Sequence, residues 1–281
     1  MVQDKYKAVW VSHSSMGDFL KCPRAYFLHN VYKDPKTKRK INLVSPALSL
    51  GVSVHEVIEG LANYKADERF KQPLLEQYEK VWQKVSGEKG GFKNEADELE
   101  AKNRGREMIL RVIKNPGPLL NKALKLKNGQ NDMPPNFFLS EDENIILCGK
   151  IDWLEYVPED DSVCVLDFKT GKNEENGESL QLPIYQLLLN KLQKRKVSGA
   201  SYWYLDKDDA PIPVALPSVE ESYKRVIEVA RRVKVAREAG VYECPRGEKG
   251  CFACRPFEKI LRGEAEYIGV GEYNQDLYIS S

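Results

Sequence analysis

The stretch Val163–Lys172, VCVLDFKTGK, constrains this chain more than any other. Its apolar start reads as a buried strand, and Thr170-Gly171 reads as the turn that ends it. Side chains alternate along a strand, so Asp167 and Lys169 share a face, with Cα atoms roughly 6.5–7 Å apart, and Phe168 takes the other. Taken alone, the pair reads as a charged strand end entering solvent. The remaining motifs supply a second reading.

At 281 residues the chain can bury most of its unfolded surface, as one large domain or two small ones. Lys plus Arg number 43 against 42 for Asp plus Glu, a net charge of +1. That balance gives no global signature of nucleic-acid binding, so any basic surface is local. Two candidates are the loop carrying Lys36, Lys38, Arg39 and Lys40 and the helix carrying Lys224, Arg225, Arg231, Arg232 and Lys234. Both read equally well as solvated charge. The first residues lack the apolar core of a signal peptide, and no segment approaches the ~20 apolar residues that span a bilayer. The expectation is a soluble, cytoplasmic protein with no membrane partner.

The organisation follows from periodicity. Ser15 is expected to cap a helix running through Phe19, Leu20, Tyr26, Phe27 and Val31, with a kink or restart at Pro23. Ser49 to Tyr64 reads as a helix entered through Gly51. Residues 66–135 read as a helical insertion, with helical spacing in QPLLEQYEKVWQKV and NEADELEAKNRGREMILRVIKN. FFLSEDENIILCGKIDWLEYV then reads as two strands joined by a turn at Glu141 to Asn144, and VCVLDFK as the next strand. A helix begins or breaks near Pro183, two strands follow in ASYWYLDK and PIPVAL, and a long helix ends at Gly240. Beyond it lie a cysteine cluster and a polar tail. The order of helix, three strands, helix and strand predicts an α/β fold with a mixed central sheet flanked by helices.

Four motifs stand in chain order: Gly51-Val-Ser-Val-His55, Gly149-Lys-Ile-Asp152, Asp167-Phe-Lys169, and Gln181-Leu-Pro-Ile-Tyr185. In the last, an amide and a phenol fall four apart on one helix face. This set resembles the PD-(D/E)XK nuclease superfamily and, within it, the RecB-like branch, over roughly residues 12–34, 49–60 and 137–258. The resemblance implies a restriction-endonuclease-like core of αβββαβ order and one RecB-like nuclease domain over residues 1–281, with residues 66–135 inserted. Singly, each residue has a plainer account: His55 packed on an amphipathic helix, Tyr185 in the core among Leu182, Ile184 and Leu187.

Phosphodiester hydrolysis needs an activated water and neutralisation of charge on the non-bridging oxygens, and a hard divalent cation held by carboxylates supplies both. The resemblance implies His55, Asp152, Asp167 and the Phe168 carbonyl as ligands of Mg²⁺ or Mn²⁺, the imidazole favouring Mn²⁺. It implies that Lys169 orients or deprotonates the attacking water and stabilises the transition state, and that Gln181 and Tyr185 hold the geometry and contact the nucleic-acid backbone. A zinc protease, by contrast, needs a second histidine at position 59, where this chain has Glu59.

Six cysteines in a reducing compartment argue against a disulfide framework. Cys148 and Cys164 lie in apolar strand patterns and read as small buried residues. Cys22, Cys244, Cys251 and Cys254, one before the core and three after it, resemble the staple of helicase-nucleases and CRISPR-adaptation nucleases. That resemblance implies a 4Fe-4S cluster joining the 240–258 segment to Cys22. Here Cys244 precedes the close pair Cys251-x-x-Cys254, a departure from the family's order, and Zn²⁺ on four cysteines is the alternative.

The implied function is a deoxyribonuclease acting on single-stranded DNA or duplex ends in repair or recombination. Its rivals are a CRISPR-adaptation nuclease processing spacer precursors and a non-catalytic DNA-binding subunit of a helicase-nuclease complex. No P-loop occurs in the chain, so a helicase would be a separate partner.

Overall fold

The computed structural model describes residues 4–126, 133–175 and 177–279. They form two compact units: residues 4–45, 137–148 and 223–279 make up one, and 46–126, 133–136, 149–175 and 177–222 the other. In the first, strand β1 (Val9–Val11) leads into helix α1 (His13–Lys21), and α2 (Pro23–Tyr26) follows, with Pro23 at its first position. Proline is tolerated there because that N–H has no partner within the helix. The N-cap of α1 is Ser12, not Ser15. Ser15 is the third helical residue and completes a reciprocal capping box with Ser12, a role a serine fills as readily as the cap itself. Strand β2 (Ile41–Leu43) closes this segment.

The second unit opens with α3 (Pro46–Gly60), α4 (Leu74–Trp82) and α5 (Glu95–Lys114). Helix α3 starts at Pro46, so Gly51 lies inside it and not at its entrance. A Cβ at Gly51 would stand 3.2 Å from Thr170 Oγ1, so this position lets the helix approach the turn after the DFK motif. Both inserted periodic stretches are helical. Their buried residues fall at helical spacing: Leu74, Tyr78 and Trp82 on α4, and Gly105, Met108, Ile109 and Val112 on α5. The insertion also holds the short strand β3 (Ala123–Leu124).

Strands β4 (Asn136–Ser140), β5 (Ile145–Cys148), β6 (Trp153–Val157) and β7 (Ser162–Lys169) come next, then α6 (Gln181–Leu192), β8 (Val197–Tyr204) and β9 (Ile212–Val214). The expected single strand from Ile145 to Val157 is therefore two. It breaks at residues 149–152, and the pieces enter different sheets: β1-β5-β4 in the first unit and β3-β6-β7-β8-β9 in the second. Periodicity hides such a break, because Ile145–Cys148 and Trp153–Val157 each satisfy a strand pattern separately. The order of helix, three strands, helix and strand survives, with β3 in the place expected for the strand before the Glu141–Asn144 turn. In the five-stranded sheet β6 and β7 are antiparallel, β7 and β8 parallel across α6, and β8 and β9 antiparallel.

Helix α7 (Val219–Ala239) ends at Gly240, whose φ of +67° suits a residue without Cβ. The tail is not merely polar. It forms α8 (Arg255–Leu261) and the antiparallel pair β10 (Glu266–Val270) and β11 (Asp276–Ile279), and β2 adds to β11 in parallel. Arg39 of the basic loop pairs with Asp276, Arg231 with Glu143, and Lys234 with Glu238. Three of the nine basic residues named as candidates are thus already matched by an acid. No helix among the described residues is long and apolar enough to cross a membrane.

One face of the five-stranded sheet carries the main core. Leu166, Phe168, Trp153, Trp203 and Leu205 pack there with the buried faces of α3, α4 and α5. Polar clamps fix the insertion to that sheet. Arg104 reaches Asp206 and the Thr170 carbonyl at 2.8–3.0 Å, and Arg111, two turns on, reaches the Leu205 carbonyl at 2.8 Å. Buried Arg69 donates to the carbonyls of Leu61, Leu119 and Asn121 and lies 4.9 Å from the Trp153 ring centroid. Burying a guanidinium is tolerable only with its donors so satisfied.

Gly105 sits where α5 approaches its neighbours most closely. A Cβ there would lie 2.1 Å from the Tyr78 hydroxyl and 2.7 Å from Leu50 Cδ1. Gly105→Ala should therefore lose about 1–3 kcal/mol to overpacking, although alanine favours a helix by up to ~1 kcal/mol. Gly60→Ala, in helical backbone with nothing within 4 Å, should be neutral or slightly stabilising. Urea denaturation followed by circular dichroism measures both.

Candidate active site and cysteine cluster

The β6–β7 ladder places the two carboxylates. Trp153 pairs with Leu166 as the last matched residues, so Asp152 and Asp167 fall side by side one step beyond. The sequence reading set Asp152 on a strand. It stands instead in the break before β6, where its Oδ2 accepts from the Phe168 amide at 3.1 Å. Gly149, three residues earlier, is where α6 comes close: a Cβ would meet Leu188 Cδ1 at 3.0 Å.

Alternation along β7 is as expected. Leu166 and Phe168 face the core of α3–α5, while Asp167 and Lys169 face α6. There Gln181 and Tyr185, one turn apart, both donate to Asp167 Oδ1, at 2.6 and 2.9 Å. Gln181 accepts from Lys169 Nζ at 2.5 Å through its carbonyl oxygen, which fixes the orientation of its amide. The Lys169 ammonium also lies 2.9 Å from Asp167 Oδ2, 3.0 Å from Glu175, and 4.9 Å from the Tyr202 ring centroid. Asp167 Oδ2 is buried and faces this ammonium.

His55 approaches from α3. Its Nδ1 lies 3.0 Å from Glu59 and 3.4 Å from Asp152 Oδ2, and Glu59 pairs in turn with Lys150. His55, Glu59 and Asp152 each offer a ligand atom within 4.8 Å of the others. Six of the residues expected at the site are therefore gathered in one unit, and Phe168 enters through its amide. Sequence reasoning passed over Glu59, although an acid one helical turn after His55 was a usable signal. Glu175, from the loop after β7, and Tyr202, opposite Asp167 on β8, gave no such signal.

Burial, and then the charge of Asp167, pushes the Asp152 carboxyl up to about 7. Burial pulls the His55 imidazole down, but Glu59, Asp152 and Asp167 together leave it above its ordinary value. Burial likewise works against Glu59, which His55 and Lys150 hold below the ordinary range. The Lys169 ammonium resists its burial through Asp167 and Glu175 and is raised, while burial drives Tyr185 well above its usual range. Lys169 thus stands as a firm cation and Tyr185 as a firm donor. Asp152 is a carboxylate that a neighbouring positive charge would ionise. The donor set, oxygen-rich with one imidazole, fits a hard divalent cation.

The four cysteines expected to act together also converge, in the other unit. Cys22, Cys244, Cys251 and Cys254 offer sulfurs all within 4.8 Å of one another, and all are free thiols. Cys22 caps α2 and Cys254 caps α8. Cys148 and Cys164 stay apart on β5 and β7, half-buried, with burial raising both thiols, Cys148 to about 11.

No curated protein matches the chain. The family model for the PD-(D/E)XK nuclease superfamily matches residues 10–257, a span that takes in all four motifs and all four clustered cysteines. With the mixed sheet, the paired Asp152 and Asp167 and the adjoining Lys169 in place, the chain belongs to the PD-(D/E)XK nuclease superfamily.

Proposed function

We propose that the chain is a metal-dependent deoxyribonuclease acting on single-stranded DNA or duplex ends, in a repair or recombination setting and with any helicase supplied by a separate protein. The observation that carries the reading is Asp152 beside Asp167 at the end of β6–β7, with Lys169 on the same strand face. Those elements match the roles the family's chemistry requires. The substrate class and the preference for ends rest on the RecB-like resemblance of the motifs.

His55, Asp152 and Glu59, whose ligand atoms lie within 4.8 Å of one another, would hold Mg²⁺ or Mn²⁺, and Asp167, beside Asp152 at the end of the ladder, would join them as the resemblance implies. When bound, such a cation lowers the pKa of a coordinated water and offsets charge on the phosphate. The chain's own residues do the rest. Lys169, held protonated, orients the nucleophile and stabilises the charge that develops on the non-bridging oxygens. Gln181 and Tyr185 occupy Asp167 Oδ1, so Oδ2, which faces the Lys169 ammonium, is the oxygen that a cation would share. Glu175 and the Tyr202 ring keep Lys169 in position.

Incubating end-labelled linear and circular single strands with Mg²⁺ or Mn²⁺ tests the reading. Linear strands should be degraded and circles spared. Asp167→Ala and Lys169→Ala should each reduce cleavage by at least ~10²-fold while leaving circular dichroism and DNA affinity nearly unchanged, because they act on kcat. Cleavage by either variant at the parental rate would remove the site from consideration.

Tyr185→Phe deletes one of the two donors to Asp167 Oδ1 without emptying the core, and should lower activity by ~10- to 100-fold. The same experiment on Leu182→Val should show little change in rate.

The raised Asp152 carboxyl gives a pH signature. Its proton persists to about pH 7, against an ordinary value of 3.8, so its contribution to stability is complete below about pH 4. That contribution is lost as pH rises through about 7, where a charged Asp152 beside Asp167 becomes a cost that a cation relieves. Mn²⁺ should therefore raise the melting temperature more at about pH 8 than at about pH 5.5, and Asp152→Asn should remove most of the difference. Differential scanning fluorimetry with and without the ion checks this.

A further inference from the structure

We infer that the four cysteines form a mononuclear zinc site, one tetrahedral ion held by Cys22, Cys244, Cys251 and Cys254, and not the iron–sulfur cube that the resemblance implies. The argument begins with sulfur spacing. Cys251 and Cys254 sulfurs are 3.8 Å apart, Cys254 and Cys244 sulfurs 3.7 Å apart, and all four lie within 4.8 Å of one another. A tetrahedral ion with metal–sulfur bonds of ~2.3 Å sets the edges of its sulfur tetrahedron at about 3.8 Å. In a 4Fe-4S cube each thiolate binds a different corner iron, and the inorganic core stands between the four sulfurs and forces them much farther apart. The cage here has the size for one ion and lacks room for eight core atoms.

The backbone around the cage is arranged for four thiolates. The Ala25 amide donates to Cys22, and the Arg246 amide to Cys244 at 3.4 Å. Cys251 accepts from the amides of Ala253 and Cys254, and Cys254 accepts from the Cys251 amide at 3.2 Å. Every sulfur therefore has at least one N–H, which spreads the negative charge remaining when four thiolates meet a divalent ion. Gly250 makes the loop possible. Its φ is +67°, and a Cβ there would stand 3.2 Å from Cys254 Sγ. Tetrahedral all-sulfur coordination with a C-x₂-C pair is the structural zinc arrangement, closed to substrate and without redox chemistry.

The consequence is structural. Cys22 and Cys244 are separated by most of the chain, and a bond between them closes a very long loop, so the ion's binding energy is folding energy for the unit that contains them.

The full-length protein, produced in medium supplemented with both iron and zinc and purified without oxygen, supplies the test. Elemental analysis should find one zinc per chain, and the solution should be colourless. Replacing the zinc with Co²⁺ should give the intense visible bands of tetrahedral thiolate coordination. Cys22→Ser and Cys254→Ser should each lower zinc content at least tenfold, and Cys148→Ser should leave it at one. The native metal content decides the matter even if the site variants fail to fold. Brown protein with about four irons, red protein with one iron, or metal-free protein would each overturn the assignment.

Discussion

Asp152 and Asp167 meet because the antiparallel ladder of β6 and β7 ends one residue before them. Burial, and then the repulsion between two acids so close, raises the Asp152 carboxyl. Neighbouring positions in the second unit answer that charge. Lys169 balances Asp167 from the same strand, His55 lies beside Asp152 from α3, and Gln181 and Tyr185 lock one Asp167 oxygen from α6. The site is a set of acidic groups, only partly offset by Lys169, His55 and Lys150, that could hold a cation.

Precision in such a site comes from what stands behind it. The residues between and beside the acids, Leu166, Phe168 and Trp153, belong to the core that α3, α4 and α5 cover. Arg104 and Arg111 tie α5 to the backbone just beyond β7 and β8, at the same strand ends that carry the chemistry. The helical insertion is thus the wall against which the strand carrying the acids is held. A displacement of the strand by a fraction of an ångström would matter, since catalytic geometry tolerates little slack.

The cysteine cluster solves a different problem. Its unit is assembled from three separated stretches of chain, and a unit built from distant pieces loses more chain entropy on closing than one built from a single stretch. A metal ion held between cysteines of the first and last stretches would offset that loss. The same unit carries short β-ladders and helices of four to nine residues near the cysteines, which supply little stability by themselves.

Much of this was legible in the residues. The strand ending in Asp167-Phe-Lys169 was evident from alternation, because a period of two leaves no choice of face. Gln181 and Tyr185 were evident from a spacing of four on a helix, and the convergence of the four cysteines was implied by the resemblance to stapled nucleases, one cysteine before the core and three after it. Tertiary structure alone decided that the run from Ile145 to Val157 breaks and serves two sheets, since each half is apolar enough for either. It decided that β3 supplies a strand from within a helical insertion, that the tail folds into strands, and that Glu59 and Glu175 join the site. Local pattern reports which way a side chain faces. It does not report which distant element it faces, because that depends on strand register and loop closure, and both are settled by packing over the whole unit.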